Sequence, residues 1–430
     1  MTVDAVGKQL VQILTTQRQE PNWLREMREQ ALAAYEQLPA PHTLDLRTRP
    51  FGPFAPRDPD RACPERWEMM TPFQSERGRK KAEVSRLVYA NERKIAHHLD
   101  MEVAENGVIF ADLSLAVRVF PSLVEPYLGQ AVTADDKWTA LSTAVWNLGV
   151  FVYVPKNVQV RVPLQAWWQR TVGGGQLHPR LLVVAEEGSD VTVVAGEVSK
   201  LQEQAFGVFV AEIFAKPNAQ VRLAFLQEHD PQMTRAAHVR AKVERDARVQ
   251  IFAHDRGSGT GLVDVIVEQT GDGSEVWLDG LVTGTGKQHL DLTLKAEHIG
   301  RHTLSRIRTR ALLTDHAKAT CRAVSQIEKG AVGTDSSQEE RVLLLSKTAQ
   351  ANPIPMLLIN EEDVRCDHSA SVGPLSEEQL YYLKSRGVTD FEARKLLLKS
   401  FLAPLVQTSP LPVGMEVLTD KWLDRKGVLR

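Results

Sequence analysis

The sequence predicts a mainly β protein built around a parallel β-helix, with α-helical regions before and after it. From Val150 to about Asp363, apolar residues alternate with polar ones: Val158, Val160, Val162 and Leu164; Val221, Leu223 and Phe225; Val263, Val265 and Val267; Leu290, Leu292 and Leu294. A period of two places alternate side chains on one face of a strand. Short polar turns separate these runs and centre on Asn157, Gly188, Asn218, Asp246 and Gly273, at successive steps of 31, 30, 28 and 27 residues. A near-constant step marks one supersecondary unit stacked repeatedly. The units are strands and lack the WD or kelch signatures of propellers. A β-sandwich of long hairpins also satisfies the alternation and stands as the alternative fold.

The flanking regions follow a different period. From Asn22 to Leu38, Leu24, Met27, Ala31, Tyr35 and Leu38 recur at steps of three and four, the stripe of an amphipathic helix, with Pro21 at its start and Pro39 at its stop. Five prolines between Arg49 and Pro64 read as a linker or extended loop. Helical character returns at Leu113–Val119 and Val132–Trp146, where Ala134-Asp135-Asp136 opens a helix end. After the repeats, Ser376-Glu377-Glu378-Gln379 is a capping box with Leu375 and Leu380 placed as its hydrophobic staple. Gly387 ends that helix. Thr389-Asp390-Phe391-Glu392 opens a second one through Leu396, Leu397, Phe401 and Leu402. The expected divisions are therefore a helical region with a proline-rich linker over 1–149, a β-helix core over 150–373 and a helical domain over 374–430.

Composition excludes several function classes. A length of 430 residues exceeds one ordinary core, and 43% hydrophobic with 25% charged residues is the balance of a soluble globular protein. No apolar run is long enough to span a membrane. A net charge of −2 supplies no field to attract nucleic acid or acidic lipid. An acid at Asp4, where a targeting peptide would be basic, leads to the expectation of a cytoplasmic protein. Cys63, Cys321 and Cys366 are too far apart for a CxxC redox or zinc motif and read as free thiols.

Few motifs carry chemistry. Gly284-Thr285-Gly286-Lys287 fails the phosphate-loop pattern, because Leu281 stands where a glycine is needed and Gln288 where Ser or Thr is needed. It reads as a turn between strands, and Gly257–Gly261 reads as a flexible loop. No GxSxG nucleophile elbow occurs. Trp167 and Trp168 are adjacent on a predicted strand, so they face opposite ways and suit packing better than a shared ligand. His254, His289, His298 and His302 read as structural or exposed. The remaining candidate is Asp363-Val364-Arg365-Cys366-Asp367-His368. On a strand Cys366 and His368 share one face, and a thiol beside an imidazole suits iron or zinc. A solvated strand end with an incidental thiol explains the same residues.

Beside these readings, long stretches resemble the SufB/SufD family of iron–sulfur cluster assembly scaffolds. They are Glu20-Pro21-Asn22-Trp23-Leu24 with Ala31–Tyr35, Lys137–Leu141 through Val150–Lys156, Gln338–Ser346, Ala351-Asn352-Pro353, Asp367–Gly373 and Gln379–Gly387. They run in the family's order over nearly the whole chain. The resemblance implies a right-handed parallel β-helix flanked by helical regions. It implies a non-catalytic scaffold subunit, pairing with a SufB-like subunit through the β-helix and with the ABC ATPase SufC through the C-terminal helices. SufB carries a cluster-building cysteine near the position of Glu340, and this chain has no cysteine between Cys321 and Cys366. SufB also has a Glu-His-Glu triplet where this chain reads Asp367-His368-Ser369. The resemblance therefore lies on the SufD side of the family.

On that basis His368 and Cys366 belong to the cluster-assembly interface, with His368 a metal ligand only within the complex. Tyr381, Tyr382, Leu383, Arg386, Gly387, Leu397 and Phe401 are the docking residues for the ATPase. One histidine cannot hold a cluster, so the partner must supply thiolates. The resemblance implies no cofactor on the isolated chain and a nascent iron–sulfur cluster only at the seam with SufB. An isolated chain can also cover its unpaired β-helix edge with a second copy of itself. Two other functions compete: a β-helix carbohydrate-active enzyme, and a SufB-like scaffold that retains its own cluster.

Overall fold

The computed structural model of the chain describes residues 3–39, 84–173 and 176–423. The proline-rich stretch and Cys63 lie outside the described residues. The N-terminal region holds α1 (Val3–Arg18), α2 (Asn22–Gln37), β1 (Arg86–Ala90), β2 (Arg93–His98), α3 (Met101–Glu105), β3 (Ile109–Asp112), α4 (Leu113–Val119), α5 (Pro121–Val124) and α6 (Lys137–Val145). Next come β4 (Leu148–Val154), β5 (Leu164–Arg170), β6 (Gln176–Leu177), β7 (Pro179–Ala185), β8 (Asp190–Ser199), β9 (Ala205–Ala215), β10 (Gln220–Glu228), β11 (Met233–Val243) and β12 (Arg248–Arg256). The strands continue as β13 (Thr260–Gln269), β14 (Glu275–Gly284), β15 (His289–His298), β16 (Leu304–Leu313), β17 (Lys318–Ile327), β18 (Asp335–Leu344), β19 (Gln350–Ile359) and β20 (Arg365–Gly373). Helices α7 (Glu377–Ser385), α8 (Asp390–Thr408) and α9 (Pro412–Leu423) follow.

Successive strands alternate between two facing sheets. One runs β2-β1-β5-β8-β10-β12-β14-β16-β18-β20, the other β19-β17-β15-β13-β11-β9-β7-β4-β3. All pairings from β4 to β20 among themselves are parallel. The result is a parallel β-solenoid of about eight turns, with helices at both ends. Parallel neighbours exclude the sandwich of hairpins.

The predicted turns form a ladder. Asn157, Gly188, Asn218, Asp246 and Gly273 all have positive φ, and the series continues at His302 and Gly333. Each donates its N–H to the next coil, as Asn157 to Glu187 O at 2.9 Å and Gly188 to Pro217 O at 3.0 Å. Those bonds offset the cost of about 1–2 kcal/mol that a non-glycine residue meets in the left-handed region. Glycine is needed where the neighbouring turn leans over: a Cβ on Gly188 would stand 2.4 Å from Asn157 Oδ1.

Register then stacks like on like. Val221, Leu223 and Phe225 lie beside Val249, Ile251 and Ala253, and these beside Val276, Leu278 and Gly280. The inward positions form one apolar lumen from Leu87 to Ala349. The outer faces are covered by opposite ends of the chain. Helix α6 packs on β9, and α8 packs on β14 and β16. The first contact is anchored by Glu212, which pairs with Arg180 at 2.8 Å while both side chains are fully buried. Glu212 also accepts the N–H groups of Gly129, Ala131 and Val132.

Several expectations need correction. Val158, Val160 and Val162 pack against the core, yet they form no strand beyond an isolated bridge at Gln159. Pro163 lacks the N–H a ladder needs, and β5 starts just after it. The helix expected from Val132 starts at Lys137, because Asp136 caps it and Thr139 completes the box. Helix α1 was not foreseen, nor was α9 after the two expected C-terminal helices. At α7 Ser376 accepts from Gln379 N–H, but the reciprocal bond of a full box is not formed. The glycine loop at 257–261 is packed: a Cβ on Gly257 would lie 1.9 Å from His229 O. Trp168 faces the lumen and Trp167 the outer helices, as alternation requires.

Candidate functional site

The two ends of the solenoid differ, and the candidate residues lie on the last coil. Strand β20 pairs only with β18, and β19 only with β17, among the described residues. Their remaining edges carry no strand. Arg365 donates its N–H to Thr334 O, and in a parallel ladder backbone groups alternate sides. The N–H and C=O groups of Cys366, His368, Ala370 and Val372 therefore point off the edge. The same parity on β19, where Gln350 donates to Ala317 O, turns Ala351, Pro353, Pro355, Leu357 and Ile359 outward. Proline at two of these positions fits, since an unpaired edge needs no donor there.

Cys366 and His368 also share the inward face. They stack on Ser336 and Gln338 of β18, which line the lumen, while Asp367 and Ser369 point to the outer surface. His368 is exposed and Cys366 half-buried, because no further coil covers them. Burial, then the charges of Asp335 and Asp367, push the Cys366 thiol upward, so it is a thiol and not a thiolate near neutral pH. Among the described residues no three His, Cys, Asp or Glu side chains gather into a metal-binding group. The thiol and the imidazole lie side by side at an open edge.

The family model described as SUF system FeS cluster assembly, SufBD core domain, matches residues 169–401, and that of the SufBD protein N-terminal region matches residues 80–166. The chain is 32% identical over 415 residues to the iron-sulfur cluster assembly protein SufD of Bacillus subtilis, covering 95% of each. The chain belongs to the SufBD family. It is also 26% identical over 421 residues to an iron-sulfur cluster assembly SufBD family protein of Staphylococcus epidermidis, covering 95% of this chain and 90% of that relative.

In this SufBD chain the expected ATPase-docking residues divide into two groups. Tyr381, Tyr382, Arg386 and Gly387 are exposed on and just after α7, with the Arg386 guanidinium 5.3 Å above the Tyr382 ring. Leu383 and Leu397 are half-buried. Phe401 turns toward the solenoid, where Arg310 lies 5.5 Å above its ring and the helix–sheet core packs beside it. Phe391 and Leu396 are also exposed on α8 and were not singled out from the sequence as docking residues.

The outer face of the first sheet carries a groove of about 630 Å³ that reaches Asp367 and Ser369 and includes Trp277. Its arginines are committed to neighbours: Arg222 to Asp190, Arg248 to Glu275, Arg306 to Asp335 and Arg308 to the buried Asp279. Sequence reasoning named Glu340 only as the position of a SufB cysteine and assigned no role to the layer beneath the last coil. There Glu340 is fully buried, neither carboxylate oxygen has a hydrogen-bond partner, and burial lifts its carboxyl to about 7. The readable signal was its inward parity on β18.

No helix among the described residues is long and apolar enough to cross a membrane.

Proposed function

We propose that this chain is the SufD-type scaffold subunit of an iron–sulfur cluster assembly complex and carries out no turnover of its own. It pairs through its open coil with a SufB-like subunit. The single observation that carries this reading is the unfinished end of the solenoid, with Cys366 and His368 on its lumen face. A partner of the same architecture can add a strand to each free edge, and outward backbone groups with exposed Ile359 and Val372 suit that addition. The seam would bring partner thiolates against His368, and imidazole is a good ligand for iron. The nascent cluster belongs to the seam, not to the isolated chain. Tyr381, Tyr382, Phe391 and Leu396 form the surface for a SufC-like ATPase. A second copy of this chain takes the open edge when no SufB-like subunit is present.

The test is co-expression with the SufB-like and SufC-like subunits of the same host, followed by affinity capture on this chain. Both partners should be recovered, and His368→Ala should retain them while cluster delivery in cells is lost. Capture of neither partner by the wild-type chain, or full complementation by His368→Ala, defeats the proposal.

A further inference from the structure

Beneath the open coil lies a second group of side chains distinct from the seam residues. Thr309 and Glu340 are register partners on β16 and β18, both facing the lumen, and Gln338 is one inward step away. Across the lumen, Ser325 of β17 lies 2.7 Å from Ser336 Oγ and accepts from Gln338 Nε2 at 2.8 Å. Facing strands run in opposite directions, so the two inward steps back from Ser325 lead to Cys321 beside Glu340. The Cys321 thiol is held far above its usual range, first by burial and next by the Glu340 charge, which agrees with that proximity.

Several buried polar atoms in this group have no hydrogen-bond partner. Gln338 spends its amide N–H₂ on Ser325 and Met356 O, leaving Oε1 without a partner. Thr309 Oγ1 and both oxygens of Glu340 are likewise unpartnered, and all three residues are at most 2% exposed. A buried polar atom left unpaired costs about 1–3 kcal/mol, so three residues in one small volume point to an occupant that accepts electron pairs. Ala370, exposed and stacked directly on Glu340, is the one layer between that volume and the open end.

We propose that Cys321, Glu340, Gln338 and Thr309 form a metal site inside the lumen that takes a divalent transition ion of the ferrous or zinc class. Sulfur from Cys321 with oxygen from the other three is a mixed donor set such ions accept. A thiolate and a carboxylate together balance the charge of the dication, which keeps the buried assembly neutral. On binding, the Cys321 S–H proton and any proton on Glu340 leave to solvent as the metal–sulfur and metal–oxygen bonds form. No oxidation step is involved. The site stands whether or not a partner covers the open end, and beside the seam it would hold metal one layer from His368.

Cobalt(II) is the probe, since bound thiolate gives a near-ultraviolet charge-transfer band. The full chain carrying Cys63→Ser and Cys366→Ser leaves Cys321 as its sole thiol. Anaerobic titration should develop the band with a single equivalent of cobalt. Adding Glu340→Gln, which keeps the side-chain shape, should weaken binding tenfold or more, Cys321→Ser should abolish the band, and His368→Ala should leave it unchanged. Absence of the band in the parent chain, its survival in Cys321→Ser, unchanged affinity in Glu340→Gln, or its loss in His368→Ala would each overturn the proposal. If Cys321→Ser fails to fold, the Glu340→Gln titration decides. Cluster delivery plays no part in these readouts, so their failure is separable from failure of the seam reading.

Discussion

The first and last coils of the solenoid are made of the same strands and finished in opposite ways. At the N-terminal end both sheets stop on a reversed strand: β2 folds back antiparallel on β1, and β3 runs antiparallel to β4. Tyr89 of β1 ties this end together, donating to Asp112 Oδ2 at 2.6 Å. The outermost strand β2 carries Arg93, Lys94, His97 and His98, polar groups that discourage another chain from pairing. At the C-terminal end β19 and β20 stop parallel to their neighbours, and their exposed positions include Leu358, Ile359 and Val372. An edge protected by charge is a structural terminus. The proposed interface is the parallel, unpaired edge, where the thiol and imidazole sit.

Substitutions should separate the two ends. The largest effect is expected toward the closed end, under the N-terminal helices, where Glu212→Ala on β9 strands Arg180 without its charged partner and frees three backbone donors. Urea unfolding should show a loss of about 3–5 kcal/mol. His368→Ala at the open end should stay within about 0.5 kcal/mol of wild type in the same assay. Equal losses would erase the distinction between the ends.

A smaller, pH-dependent effect is expected from Glu340. Its folded carboxyl titrates near 7 against an ordinary value of 4.5, so the folded chain holds the proton more tightly than the unfolded one. The group's contribution is fully present below its unfolded value and is lost as pH rises through its folded one. Metal-free Glu340→Gln should therefore exceed wild type by about 2–3 kcal/mol at about pH 8, and the gap should close at about pH 4. A gap that widens in acid would contradict the burial of a protonated carboxyl.

The smallest effects on stability should accompany the largest on assembly. Ile359→Lys places a charge on the free edge and should change unfolding by less than about 0.5 kcal/mol while abolishing capture of the SufB-like subunit. Tyr381→Ala on the exposed face of α7 should be equally mild in unfolding and should reduce capture of the SufC-like ATPase. Retention of either partner by the respective variant would place its surface elsewhere.

Local chemistry was legible without coordinates. The alternating runs, the turn ladder at Asn157 to Gly273, the cap of α8 by Thr389 and the stop at Gly387 each depend on a few neighbouring residues and a backbone preference. The strand readings failed where local and longer-range demands conflict, as at Val158–Val162, whose apolar period survives although Pro163 interrupts the ladder. That Cys366 and His368 share a face followed from spacing alone.

Which face they share was decided by register with β18, a pairing across about thirty residues that no local preference encodes. The same kind of register stacks the buried Glu340 on Thr309. A strand's period is written in its own side chains, so the amino-acid order alone specified coils and turns. Burial and the exposure of an edge belong to the stack of coils as a whole, and they exist only once the last coil has nothing laid upon it.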